Sequence, residues 1–238
     1  MMGVHVALGL AVALGALVQG SIGFGIAVVA APFIVVWAPE VMPVGLIVAS
    51  VAVPVVQLVH GPREIAWRPL TWAIIGRVLF TPVGVWVVAA FSVDVIAALV
   101  GVLLLITVAV SLTHVRIHAS PGRAFASGAV AGISGTAASI GGPFFALVLQ
   151  HEPPVRVRST LSWFFVIGSG ISLAGLTLGG RVDAASLRAG LLWVPFAVAG
   201  YAAAVPARRL LSSDRLRIAV LAFCTLAGTL VIIRALAP

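Results

Sequence analysis

The 238-residue sequence contains no lysine, only six acidic residues, a single cysteine and a single tyrosine. Charged residues make up 8% of it, about a third of the roughly 25% usual in soluble domains. That is too little charge to wet a globule of this size, which excludes a cytosolic enzyme and a disordered chain alike. Cys224 cannot close an internal disulfide, so a disulfide scaffold is excluded and the redox compartment is not readable. There is no His/Cys cluster at metal spacing and no HExxH, GxSxG or Walker A pattern. No metal, no cofactor and no enzymatic activity are expected. The start, MMGVHVALGL, lacks the Lys/Arg opening of a signal peptide, so the first apolar run is read as part of the mature protein.

What is present is apolar: 62% hydrophobic residues and a mean hydropathy of +1.23. The apolar runs are Val4–Trp37, Val41–Val59, Pro69–Phe91, Val93–Thr113, Arg123–Gln150, Val155–Leu178, Leu187–Val205 and Leu216–Leu236. Several exceed the ~18 residues that mark a bilayer span, and no linker between them is long enough for a soluble domain. The expected class is an all-α, polytopic integral membrane protein. Its net charge of +8 would suggest nucleic acid in a soluble chain. Here the arginines sit mostly in short loops between apolar runs, so the partner they imply is the lipid bilayer and not nucleic acid.

Two runs are too long for one crossing. Val4–Trp37 has 34 residues, about 50 Å as a single helix, against a bilayer core of ~30 Å. Its middle, Gln19-Gly20-Ser21-Ile22-Gly23-Phe24-Gly25, is a poor helix interior. Arg123–Gln150 is interrupted likewise, at Ser134 through Pro143. Both are read as broken helices. Ser21-Ile22-Gly23 recurs as Ser139-Ile140-Gly141, an offset of 118 in a chain whose half-length is 119. Two membrane repeats are therefore expected, 1–118 and 119–238, in one transmembrane domain.

Arginine placement bears on how the broken runs sit. With eight single crossings the loops divide seven arginines against six, which sets no orientation. With each broken run a re-entrant hairpin, Arg63, Arg68, Arg116, Arg123, Arg156, Arg158, Arg208, Arg209, Arg215 and Arg217 share one face, and Arg181, Arg188 and Arg234 the other. Ten against three follows the positive-inside rule. It places the Arg-rich loops in the cytoplasm and both termini outside a multi-pass protein of the inner cell membrane. Each repeat is then a hairpin plus three transmembrane helices, an odd number of crossings, so the two repeats are inverted, the plan of secondary transporters. The alternative is a kinked first and fifth helix that each cross once.

Non-helical backbone at membrane depth has to line something that satisfies its polar groups. A helix restarting after each break, near Phe24 and near Pro143, offers free N–H groups and a positive dipole end to an anion. Ser21, Thr136 and Ser139 add hydroxyls, Gln19 an amide, and Gly20, Gly23, Gly25, Gly141 and Gly142 allow close approach to the backbone. Gly128 and Gly132 instead carry the GxxxG spacing of tight helix packing. The breaks are expected to meet near the midplane around one anion.

Gly20-Ser-Ile-Gly-Phe-Gly-Ile-Ala-Val-Val-Ala-Ala-Pro32, together with Gly128-Ala-Val-Ala-Gly132 leading into Gly135 and Ile140-Gly-Gly-Pro143, resembles the two signature segments of the sulfite exporter TauE/SafE family. The resemblance implies a membrane transporter of sulfite, organosulfonates or related small anions. One departure is Gly23-Phe24-Gly25, where the family often runs three glycines, and it bears on pocket size.

Arg77 lies mid-span, and all six acids fall in loops or at span ends. A bound anion could be its counter-charge; otherwise it snorkels or bonds backbone carbonyls. No buried acid suggests proton coupling, and His60 and His114 sit at span ends. Trp37, Trp67 and Trp72 read as interface anchors, and Trp163-Phe164-Phe165 as core, lipid-facing or pathway wall. The leading reading is a secondary transporter of small sulfur-containing anions; the competing ones are a non-transporting membrane scaffold and an anion channel. Direction, coupling ion and oligomeric state, a homodimer included, stay open.

Overall fold

In lipid a spanning backbone must bond to itself, which for an apolar run means a helix. A computed structural model describes residues 2–236 apart from 24, 62–63, 113–118 and 211–212. The expectations for Arg63, His114, Arg116 and a helix start at Phe24 lie outside the described residues. The described residues form α1 (Met2–Ile22), α2 (Ile26–Trp37), α3 (Val44–His60), α4 (Trp67–Ala90), α5 (Val93–Leu112), α6 (Pro121–Ala137), α7 (Gly142–Val148), α8 (Pro154–Leu178), α9 (Ala184–Leu210) and α10 (Ser213–Leu236), with a 3-10 turn at Pro39–Val41 and no strand. Six helices are long and apolar enough to cross a membrane. The chain is an all-helical polytopic membrane protein. Its lipid-facing character is visible in exposed Leu14, Leu79, Trp86, Leu178, Leu191 and Leu226, a surface that water would not tolerate.

Both long runs are broken, at narrower points than the glycine-rich stretches suggest. Gln19, Gly20 and Ser21 stay in α1, whose last turn is closed by Gly23 N–H donating to Gln19 O at 2.8 Å. The Ser21 hydroxyl donates to Leu17 O at 2.9 Å, so the serine is satisfied inside its own helix. The chain then turns at Gly23 (φ +95°) and Gly25 (φ +151°), conformations that exclude most side chains. α2 begins with its first N–H, Ile26, donating to the Gln19 side-chain oxygen at 3.3 Å. That contact occupies a donor a helix start leaves open. The second break runs from Ala138 to Gly141, and Thr136 remains helical. At 21 residues α1 is long enough to cross unaided, about 32 Å, whereas α6 has 17.

Small residues set the helix seams. Gly128 lies on the Ala73 backbone, Gly132 on the Arg77 carbonyl, and Gly84 on Ile133 and Thr136, so α4 and α6 run alongside each other at backbone contact. Gly128 and Gly132 are thus packing glycines, as their spacing suggested. The same relation joins α1 and α9: Gly9 packs on Phe196, Gly200 on Ala13, and Gly20 on Ala204. α3 and α8 are antiparallel, since Gln57 meets Ser162 while Val44 and Ile47 cluster with Leu176. α5 and α10 are antiparallel too, with Gly101 against Gly228 and Arg217 donating to Ser111 O. One apolar core is drawn largely from α1, α2, α3, α5, α9 and α10, a second from α4, α6, α7 and α8. Trp37 and Trp67 are exposed at helix ends, and Trp72 is exposed one turn further in. His60 is the exposed last residue of α3.

Candidate functional site

The two breaks come together. A cavity of about 40 Å³ is lined by Gln19 and Gly25 of the first break and by Ser139, Ile140, Gly141, Gly142 and Pro143 of the second. Ala27 and Val28 of α2, Ile47 and Ser50 of α3, Arg77 of α4, Gly135 of α6, and Phe165 and Ser169 of α8 complete the wall. By the measure in which a water needs ~10–15 Å³, there is room for a compact group of a few heavy atoms.

Arg77 is the dominant charge. It is the eleventh residue of the 24-residue α4 and 4% exposed, so it does not snorkel. Its Nη2 donates to Ser172 Oγ at a long 3.4 Å, and that hydroxyl lies 2.8 Å from Thr136 Oγ1. The guanidinium carbon stands 4.9 Å from the Phe164 ring centre, a cation–π contact. Phe164 is held in turn by Phe145, 4.6 Å between ring centres. Nε and Nη1 are buried without a hydrogen-bond partner. Among the described residues Arg77 has no ion-pair partner; the ion pair that the described residues do form, Arg156–Glu152 at 3.1 Å, lies at the start of α8. A buried guanidinium with two idle nitrogens thus stands at the cavity wall, a set of hydrogen-bond donors without acceptors.

Ser139 has φ +62°, a left-handed conformation unusual for a side-chain-bearing residue. Its hydroxyl donates to Pro43 O at 3.2 Å across the molecule. Such backbone costs of order 1–3 kcal/mol and tends to occur at functional sites. The Ile140 amide closes the turn on Ser134 O at 3.3 Å.

Seven of the eleven residues singled out from sequence line the cavity: Gln19, Gly25, Arg77, Ser139, Gly141, Gly142 and Pro143. Four do not. Gly20 packs against Ala204 and Tyr201, and Gly23 faces Leu161 on α8. Ser21 is bonded within α1, and Thr136 reaches the site only through Ser172. The equivalence of Ser21 and Ser139 in sequence is therefore not an equivalence at the cavity: a helical serine turns its hydroxyl back onto its own carbonyls, and Ser139 has left the helix. Sequence reading missed Ser50, Ser169, Ser172 and Gly168. The available signal was on α8, where Gly168, Ser172 and Gly175 fall on one face at helical spacing. Of Trp163-Phe164-Phe165, Phe164 is core beneath Arg77 and Phe165 is cavity wall.

A family model described as Sulfite exporter TauE/SafE matches residues 7–231, nearly the whole chain. No curated protein and no solved structure matches it.

Proposed function

The chain belongs to the sulfite exporter TauE/SafE family, a family of membrane transporters for sulfite and related sulfur anions, and from that premise we propose that the cavity between the two breaks is where it holds its anion. Arg77 carries this reading. A guanidinium at helix centre costs about 2.5–3.5 kcal/mol on insertion scales, and its Nε and Nη1 have no protein acceptor. An oxyanion supplies the counter-charge and the acceptors together. Ser139 and Ser169 add hydroxyls at the wall, and the bare backbone at Gly141 and Gly142 lets the ligand come close. The volume favours an inorganic oxyanion over an organosulfonate with its carbon tail. A scaffold that moves nothing has no use for a charge held this way.

The antiparallel α3/α8 and α5/α10 pairs, and the packing of α4 on α6 as α9 packs on α1, support halves 1–118 and 119–238 related as inverted repeats. Ile47 and Phe165 both line the cavity at the 118-residue offset, as do Gly25 and Pro143. The anion then sits close to the pseudo-two-fold axis, the position from which rocking of one half against the other exposes it to either face. Both termini lie outside and the Arg-rich loops in the cytoplasm of the inner membrane, by the ten-to-three arginine division.

The test is anion-dependent thermal stabilisation of the purified protein, followed by uptake into proteoliposomes with sulfite, thiosulfate, sulfoacetate and sulfate. Sulfite-type oxyanions should stabilise the wild type and be taken up saturably, and Arg77→Gln should lose both responses while staying folded. Undiminished stabilisation and uptake in Arg77→Gln would remove the site.

A further inference from the structure

Arg77 is not alone in keeping an idle hydrogen-bond donor in the core. Gln57 on α3 is 7% exposed, and its Nε2 is buried without a partner, while its Oε1 accepts from Ser162 Oγ at 2.7 Å. An unmet amide donor in a low-dielectric interior is costly, and packing gives no reason to keep one there.

Its place relative to the cavity is specific. Ser50 of α3 and Ser169 of α8 line the cavity. Gln57 is seven residues on from Ser50, and Ser162 seven residues back from Ser169, on helices that run antiparallel. Seven residues are two turns, so both steps keep to the same helix faces and travel the same way, about 10 Å. The seam therefore carries a second polar layer beyond the first. Gly23 of the first break faces Leu161, next to it in sequence. One turn further lies the Arg158 carbonyl, 2.9 Å from Ser162 Oγ and the alternative acceptor for its one hydrogen, at the end of the seam where α3 terminates in His60 and α8 begins. In the other direction the seam is closed by Val44, Ile47 and Leu176, which are buried and apolar. Along the seam, then, a polar layer follows the cavity in one direction and an apolar one in the other.

We propose that Gln57 and Ser162 form a second station for the transported oxyanion, one step from the Arg77 cavity towards the face that bears Arg158. This rests on the reading of that cavity as the anion site. An ion leaving Arg77 needs a donor at the next layer, and the Gln57 Nε2, which no protein group accepts from, supplies it.

The experiment compares wild type, Gln57→Leu, Gln57→Glu and Ser162→Ala in sulfite-loaded proteoliposomes, with sulfite binding to the detergent-solubilised protein measured alongside. Gln57→Leu should slow transport about tenfold and leave sulfite affinity within about twofold. Gln57→Glu keeps the shape and the acceptor for Ser162 but repels the ion, and should be slower still; a packing role would not produce that order. Ser162→Ala, which frees the amide, gives a second reading of the layer should Gln57→Leu fail to fold, and should change the rate without changing affinity. Wild-type transport in Gln57→Leu, or Gln57→Glu faster than Gln57→Leu, would overturn the station. Loss of binding in Arg77→Gln with these rates unchanged leaves the cavity reading standing and removes only the station; wild-type binding in Arg77→Gln removes the cavity reading first.

Discussion

Gly168 on α8 and the guanidinium of Arg77 on α4 share one slot: a Cβ at Gly168 would overlap Cζ, Nε and Nη1. Gly135 borders the same group, with a Cβ there falling 3.1 Å from Nη2. Gly135 and Gly168 thus cradle Arg77, a buried charge of α4, and Phe164 lies beneath it. Arg77 is held by shape as much as by its single long bond to Ser172.

Gly168→Ala should therefore act as an Arg77 variant. The helix itself gains from alanine, so thermal stability should change little, while sulfite affinity falls about tenfold or more as the guanidinium is displaced from the cavity. Differential scanning fluorimetry with and without sulfite reads both quantities; an unchanged sulfite response would show that Arg77 can move aside without cost to the site.

Ser139→Gly separates strain from chemistry. Glycine accepts φ +62° freely, so the variant should be at least as stable as wild type despite losing the bond to Pro43. Binding should weaken by about tenfold, because at the cavity wall the hydroxyl can turn from its long bond to Pro43 O to the anion, and a hydrogen bond to a charged group contributes roughly 1.5–3 kcal/mol. Ser21→Ala, whose hydroxyl serves only Leu17 O, should bind sulfite within about twofold of wild type. Equal losses in both variants would contradict the geometry.

Gln19→Leu should cost stability before it costs transport. It leaves the Ile26 N–H at the start of α2 without its acceptor, a buried donor whose loss is worth about 1–3 kcal/mol. The melting temperature should fall by several degrees, with a milder drop in Gln19→Glu, which retains the acceptor. A melting temperature unchanged in Gln19→Leu would mean that the contact does not hold the break.

Topology is testable in a Cys224→Ser background. A cysteine at Ala119, ahead of α6, should label only from the cytoplasmic side, and one at Gly180, after α8, only from outside. Both positions are exposed in the structure. The reverse pattern would invert the assignment of the termini.

Much of this was legible in the residues themselves. Scarce charge and runs of about 20 apolar residues leave helices as the only solution, because the bilayer offers the backbone no other partner. The glycine clusters at 20–25 and 141–142 marked the broken runs, and a mid-span Arg77 with no acid nearby marked a charge in need of a partner. What the sequence could not carry was distance across the fold. That Arg77 sits between Gly135, Gly168 and Phe164, that Gln57 reaches Ser162 over 105 positions, and that Ser139 lines the cavity while Ser21 does not, all depend on how helices far apart in the chain pack. Local periodicity states which face of a helix is buried. It does not say against what, because that is set by the close approach of small residues on different helices, and only the folded arrangement brings those together.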